Sequence, residues 1–220
     1  MRFYACIFDF DGTVADTSEG ILESIGYALR QMEKPALLPE QMRRFIGPPL
    51  LHSFQHVAGL SEAEAQQAVE LYRVNYEKNG GMFKLRFYDG FLPLVRELQA
   101  NGIRTGIASA KPDVFIHAIL RHFHAEDCFD CAKGITLEEC CTDKSDVIRS
   151  VIRALGVTEP ERALMVGDTL YDIEGAVSVG AAAAAVLYGF GDETQLRASG
   201  AFCAEDIPSL RNYILEDAHV

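Results

Sequence analysis

The chain has 220 residues, of which 49% are hydrophobic and 24% charged, and its formal net charge is −12 at pH 7. That composition excludes wholesale disorder, and the acidic balance argues against unassisted nucleic-acid binding, which needs a basic face. The length suits one medium domain, or a core with a modest insertion, that buries roughly 70% of its unfolded surface. An acidic chain that handles an anion needs local positive charge, and a bound cation is the obvious source.

Residues 5–10 (ACIFDF) form a short apolar run ending in charge, the pattern of a buried parallel strand with polar chemistry at its carboxyl end. The run is broken by Asp9 and Asp11, so it reads neither as a signal segment nor as a membrane span. The expectation is a cytoplasmic protein with no membrane partner and reduced cysteines. Residues 16–88 contain no convincing strand. Asp16 and Glu19 have capping-box spacing, and Ile21, Leu22, Ile25, Ala28, Leu29 and Met32 follow at helical intervals. Ser61 and Glu64 make a second capping box before Ala65, Ala68, Val69, Tyr72 and Tyr76. Residues 42–46 and 50–57 read as shorter helices around Gly47, Pro48 and Pro49. An inserted helical subdomain is therefore predicted over 16–88, with hinges near 15–17 and 87–90.

Beyond the insertion, Phe91, Leu94, Val95 and Leu98 share one helical face. Residues 103–108 (IRTGIA), 163–167 (ALMVG) and 183–187 (AAAVL) repeat the buried-strand pattern, with a weaker strand near 129–132. Val147, Ile148, Val151, Ile152 and Leu155 mark another helix. Strand and helix in alternation imply a parallel sheet covered on both faces. The predicted fold is α/β: a Rossmann-like parallel-sheet core of residues 1–15 and 89–220, carrying the helical insert. Cys128, Cys131, Cys140 and Cys141 crowd four thiols together, but the second pair lacks the two-residue gap of zinc ligands. Buried or half-buried thiols acting as small hydrophobes are the preferred reading. His122 and His124 are expected at the surface or a helix end.

Four pieces of chemistry fall at element ends. Asp9 and Asp11 follow the first strand, and Gly12 allows the turn that brings both carboxylates to one site. Two such groups repel unless a cation joins them or one takes a proton; the plainer alternative is a turn with helix-capping acids. Gly167, Asp168 and Asp172 add two more carboxylates after residues 163–167. Acids converging on one edge suggest a hard divalent cation, Mg²⁺ first, although Asp168 or Asp172 could instead cap the next helix. Ser109, Ala110 and Lys111 offer a hydroxyl and backbone N–H groups at a strand end opening a helix, a phosphate-binding arrangement; the alternative is that Ser109 merely caps. Lys144 stands at a helix N-terminus, where a cation is disfavoured by roughly 0.3–1 kcal/mol, so an anion is expected to compensate. Lys111 occupies a similar place, and residue pattern alone leaves both lysines open. All four pieces lie at the edge where open parallel sheets bind ligands.

Together these motifs resemble the haloacid-dehalogenase-type phosphatases of the phosphoglycolate phosphatase subfamily, over essentially the whole chain. Asp9, Asp11, Gly12 and Thr13 match the first motif, Ser109 the second, Lys144 the third, and Gly167, Asp168 and Asp172 the fourth. Residues 45–50 resemble a cap segment of that subfamily, and residues 187–191 the loop after the last main strand. The resemblance implies that Asp9 attacks phosphorus and forms an aspartyl-phosphate, and that Asp11 protonates the leaving alcohol and then activates water. It implies Mg²⁺ held by Asp9, the Asp11 backbone carbonyl and Asp168, with Asp172 supporting the metal shell or Lys144. Ser109 and Lys144 would hold the phosphate oxygens, with Gly12, Thr13 and Ala110 around them. Asp11 argues against a dehalogenase, and Thr13 mildly against a sugar-phosphate mutase. Many phosphoglycolate phosphatases read T-N-K where this chain has Ser109, Ala110 and Lys111, so a 5'-nucleotidase or a pyrophosphatase stands beside phosphoglycolate phosphatase as the implied activity. The cap is expected to select a small-molecule phosphate ester. Arg43, Arg44 and the Gly47–Pro49 turn are candidates to face the site, with solvated helix surface preferred for the arginines. A monomer or homodimer is expected. Two other classes remain as alternatives: a receiver-type signalling domain, and a non-catalytic regulatory protein that binds a phosphate ligand.

Overall fold

The structure, a computed structural model, describes residues 2–47, 49–136 and 143–216. It divides into two units, Met1–Ala15 with Phe87–Val220, and Asp16–Arg86. The chain leaves the first unit after β1 (Ala5–Phe8) through the two-residue β2 (Ala15–Asp16) and returns through β3 (Arg86–Phe87). The expected return near residue 88 thus lies two residues beyond the observed division.

The second unit is helical: α1 (Ser18–Gln31), α2 (Pro39–Arg43), α3 (Leu50–His56) and α4 (Glu62–Arg73), followed by a π-helical turn at Val74–Lys78. Ile21, Ile25, Ala28 and Leu29 of α1 are buried, as their spacing predicts. Ser61 and Glu64 form the expected capping box, with the Ser61 N–H donating to Glu64 Oε2 at 2.9 Å. The Asp16–Glu19 box does not form. Thr17 is the N-cap of α1, and Asp16 Oδ1 instead accepts from Ser18 N at 3.0 Å and Ser18 Oγ at 2.6 Å. The short helix expected at 42–46 starts earlier, because Pro39 occupies its first turn and Leu38 N donates to Gln41 Oε1 at 3.0 Å. Arg43 and Arg44 are exposed, while Phe45 and Ile46 are buried, Phe45 edge-on to Phe54.

The first unit continues with α5 (Phe91–Ala100), β4 (Arg104–Pro112), α6 (Asp113–His122), β5 (Cys131–Ile135), α7 (Lys144–Ala154), β6 (Ala163–Gly167) and α8 (Leu170–Ser178). It ends with β7 (Ala182–Val186), α9 (Glu193–Ala198), β8 (Phe202–Ala204) and α10 (Ile207–Leu215). Six strands pair in the order β5-β4-β1-β6-β7-β8, every pairing parallel. The weak strand expected near 129–132 lies slightly later, as β5, and β8 was not anticipated, its three residues being too few to show a pattern. From β1 the chain builds outward to β4 and β5, then crosses back to β6 and builds the other way. The order therefore reverses between β1 and β6, and a ligand crevice belongs at the carboxyl ends of those two strands.

Alternation along β1 sends its side chains to both faces of the sheet. Ala5 and Ile7 meet Val147, Ile148, Val151, Ile152 and Leu155 of α7, along with Ala163 and Met165 of β6. Phe8 points to the other face, its ring edge-on to Phe91 of α5 at 5.1 Å. Burying each large apolar side chain contributes roughly 1.5–3 kcal/mol before entropy is counted, so α7 is held by its whole inner face. A Cβ on Gly106 of β4 would lie 2.7 Å from Val151 Cγ1, so only glycine lets α7 pack this closely. That docking sets where the first residue of α7, Lys144, stands.

Candidate active site at the carboxyl edge of the sheet

Backbone pairing places Asp9 first. Phe8 is in register with Val166, and Asp9 N donates to Val166 O at 2.9 Å, so Asp9 extends β1 beside the end of β6. The chain then turns, with Gly12 N donating to Ala15 O at 2.9 Å and Gly12 at φ +84°, a conformation glycine adopts without strain. The turn brings Thr13 back, and its Oγ1 donates to Asp168 Oδ1 at 3.3 Å. Asp168 follows β6 directly, and its other oxygen accepts from Phe190 N at 2.7 Å.

Asp172 serves two purposes. Its Oδ2 completes a capping box at the start of α8, accepting from Thr169 N at 3.1 Å and Thr169 Oγ1 at 2.8 Å. Its Oδ1 lies 2.8 Å from Lys144 Nζ. The helix-capping alternative thus holds for Asp172, not for Asp168, and leaves one carboxylate oxygen for the site. Lys144 Nζ also donates to Asp9 Oδ1 at 2.6 Å. The anion expected beside a lysine in a first helical turn is this pair of carboxylates. Asp143 caps α7 through Ser145 N at 2.9 Å.

Ser109 is buried on β4, and the expectation that it opens a helix is corrected here. The strand runs on to Pro112 and α6 starts at Asp113, so Ser109 caps nothing; its Oγ accepts from Lys111 N at 3.2 Å. Lys111 is therefore a strand residue, and its Nζ lies 3.1 Å from Asp11 Oδ1. The two lysines left open by the sequence are thereby separated: Lys144 stands with Asp9 and Asp172, Lys111 with Asp11.

Asp9, Asp168 and Asp172 are all buried and each offers an oxygen within 4.8 Å of the others; the Asp11 carboxylate is not part of this group. Burial pushes the Asp9 carboxyl up to about 6 despite the opposing pull of Lys144, with Asp172 and Asp11 adding to the rise. Asp168 is pushed well above the usual carboxylate range, first by burial and then by the charges of Asp9 and Asp172. Burial works against the charge on Lys144, but Asp172 and Asp9 outweigh it and hold its ammonium firmly protonated. Three buried carboxylates face one ammonium, an imbalance relieved by taking up protons or a hard cation. The all-oxygen donor set fits Mg²⁺.

Several contributors were not read from the sequence. Phe190 N reaches Asp168 because Gly189 and Gly191 bring the loop close: Cβ atoms there would lie 2.3 Å from Asp168 Cβ and 1.8 Å from Asp168 O. The two glycines in residues 187–191 were the available signal. Tyr188, whose phenol burial pushes upward, donates from its OH to Thr13 O at 3.1 Å and steadies the turn. Cys128 is buried and Cys131 half-buried, both as free thiols, whereas Cys140 and Cys141 lie outside the described residues. No helix among the described residues is long and apolar enough to cross a membrane.

Residues 6–186 match the family of haloacid dehalogenase-like hydrolases. The chain is 36% identical over 218 residues to a 5'-nucleotidase of Pseudomonas aeruginosa, covering 97% of this chain and 96% of that one. It is 34% identical over 185 residues to the tyrosine-protein kinase PtkA of Mycobacterium tuberculosis, covering 84% of this chain and 62% of that one. The crystal structure of a predicted phosphatase from Clostridium acetobutylicum superposes with a TM-score of 0.89 at 34% identity, covering 99% of this chain and all of that one.

Proposed function

The chain belongs to the haloacid dehalogenase-like hydrolase family and is a phosphatase, and from that premise we propose that it hydrolyses a small phosphomonoester, with Mg²⁺, through a phosphoryl group carried on Asp9. The observation that carries this reading is the buried cluster of Asp9, Asp168 and Asp172 around Lys144 at the strand-order reversal. Asp9 and Asp168, with the Asp11 backbone carbonyl, would hold the ion, and Asp172 would orient Lys144. Bound there, Mg²⁺ would offset the charge of the carboxylates and of a phosphate.

In the first step an Asp9 carboxylate oxygen forms a bond to phosphorus as the ester P–O bond breaks. The electron pair goes to the leaving oxygen, which takes a proton from Asp11. In the second step water attacks phosphorus, Asp11 receives the water proton, and the bond to Asp9 breaks, releasing phosphate and regenerating the carboxylate. Lys144 and Ser109 would bind the non-bridging oxygens as charge shifts among them. Gly12 and Thr13 hold the turn, and the backbone at Ala110, between Ser109 and Lys111 on β4, would run past the phosphate. The helical unit Asp16–Arg86 would act as the cap that chooses the substrate.

Two substrate readings follow. The motif resemblance favours 2-phosphoglycolate, and the similarity to the Pseudomonas 5'-nucleotidase favours a nucleoside monophosphate. The test is phosphate release from p-nitrophenyl phosphate, 2-phosphoglycolate, nucleoside monophosphates, pyrophosphate and sugar phosphates, in Mg²⁺ and in EDTA. An ATP arm with a tyrosyl acceptor covers the activity named for PtkA. Mg²⁺-dependent release that disappears in Asp9→Asn is expected. Release that persists in EDTA, or in the folded Asp9→Asn protein, would refute the proposal.

A further inference from the structure

We propose that Lys111 is a specificity-determining residue that selects leaving groups carrying an anionic group within two bonds of the leaving oxygen, such as the carboxylate of a 2-phospho acid or the second phosphate of a diphosphate. The inference rests on the hydrolase reading above and names its substrate class. It begins with the strand. Ser109 is 1% exposed, Ala110 is exposed and Lys111 is 7% exposed, so Ser109 and Lys111 share the inward face of β4. Strand β1 ends at Phe8, in register with Ile107, but β4 runs on, shifts register between Ala108 and Pro112, and pairs again with β5 at Ile135.

This extension is anchored. A Cβ on Gly134 would lie 1.9 Å from Lys111 O, so glycine is required for β5 to approach here. Gly134 N donates to Asp113 Oδ1, and Lys111 N donates to Ser109 Oγ at 3.2 Å. Lys111 is thus held by the same strand that places Ser109, and its side chain is only 5% exposed. Lys144 pairs with Asp9 and Asp172, and Lys111 pairs with Asp11, its ammonium 3.1 Å from Oδ1.

The position of Asp11 defines where the leaving group emerges, because a general acid must come within about 2.6–3.2 Å of the oxygen it protonates. The ammonium 3.1 Å from Asp11 therefore lies within about 6–8 Å of that oxygen, near enough to meet an anion carried next to it. A glycolate carboxylate or a second phosphate presents such an anion. A 5'-nucleotide presents an uncharged ribose carbon there, and gains nothing from the ammonium.

The test compares 2-phosphoglycolate with its primary amide, which has nearly the same shape and no carboxylate charge. The wild-type kcat/KM should favour the carboxylate by about 10- to 100-fold, the range of a charged hydrogen bond. In Lys111→Met and Lys111→Gln the ratio should fall to about one, and Lys111→Arg should restore most of it. Measuring two neutral variants guards against a folding defect in either. If Lys111 only balances the charge of Asp11, both esters slow by the same factor and the ratio stays at its wild-type value, which would overturn the inference. So would a wild-type enzyme with no preference between the pair. A pyrophosphate arm separates the two sources of anion: faster turnover of pyrophosphate assigns the site to a phosphate, and faster turnover of 2-phosphoglycolate to a carboxylate. Absence of release from every ester would refute the hydrolase reading itself, a different result from release without charge preference.

Discussion

With no cation bound, the protein should become less stable as pH rises from 5 to 7. Asp9 is raised from its ordinary 3.8 to about 6, chiefly by burial. A carboxyl with a raised folded pKa binds more protons folded than unfolded between those two values. Its stabilising contribution is complete below the unfolded value and is lost as pH rises through the folded one. At about 1.4 kcal/mol per pH unit, the one unit between pH 5 and about 6 corresponds to a loss of about 1 kcal/mol from Asp9 in this window, and Asp168 acts in the same direction. Glu64, Glu97 and Asp143 are shifted the other way, by hydrogen bonds from Lys34, Arg211 and Ser145 respectively. Their contributions are lost only as pH falls through the acidic range, so the window from 5 to 7 isolates the buried cluster. A chain of this size moves its midpoint by about 2–4 °C per kcal/mol, which places the fall in EDTA expected from Asp9 alone at roughly 2–4 °C. On the proposed reading Mg²⁺ would bind the deprotonated carboxylates, so its stabilisation should grow across the same window. Thermal unfolding in EDTA and in Mg²⁺, at matched ionic strength, reads both. A metal-free midpoint that is flat or rises toward pH 7, or a Mg²⁺ gain larger at pH 5, would refute the reasoning.

Other expectations follow from individual residues. Gly12→Ala forces a left-handed backbone on a residue with a Cβ and sets that Cβ 2.1 Å from Asp168 Oδ2; it should cost at least about 1–2 kcal/mol and most of the turnover, and an unchanged melt would contradict this. Asp172→Asn keeps an oxygen for the Thr169 cap but removes a charge from Lys144. Turnover should drop about 10–100-fold, and wild-type turnover would count against the role given to Asp172 in orienting Lys144. Ile148→Ala empties a fully buried position on α7 and should cost about 2–5 kcal/mol in chemical denaturation. A cost below about 1 kcal/mol would show that α7 is not held by its inner face as described.

The architecture was legible wherever a pattern is long. Val147 to Leu155 is a complete amphipathic face, and residues 5–8 and 163–167 are uninterrupted apolar strands, so the central elements and the acids at their ends could be placed from sequence. Short elements were not: β8 has three residues, and the first helix of the insert begins one position later than its capping pattern because Asp16 binds Ser18 rather than Glu19. The end of β4 misled for a different reason. Ser109, Ala110 and Lys111 have the composition of a helix start, but the register shift toward β5, which Gly134 makes possible, keeps them extended. No local rule shows a contact between residues 111 and 134, and this is why the partner of Lys111 emerged only from the fold. The dual use of Asp172 was also hidden, since capping and charge pairing compete for one residue in sequence but use different oxygens in space.

The central claim is that Asp9 carries the phosphoryl group. It is tested most directly by mixing enzyme with Mg²⁺ and substrate, quenching within the first turnovers, reducing with borohydride, and sequencing the peptides that carry residues 9, 11, 168 and 172 by mass spectrometry. Borohydride converts an acyl-phosphate to an alcohol, so the account predicts homoserine at position 9 and unmodified aspartate at positions 11, 168 and 172. Homoserine at another of these positions, or rapid phosphate release with no reducible acyl-phosphate at any time point, would contradict it.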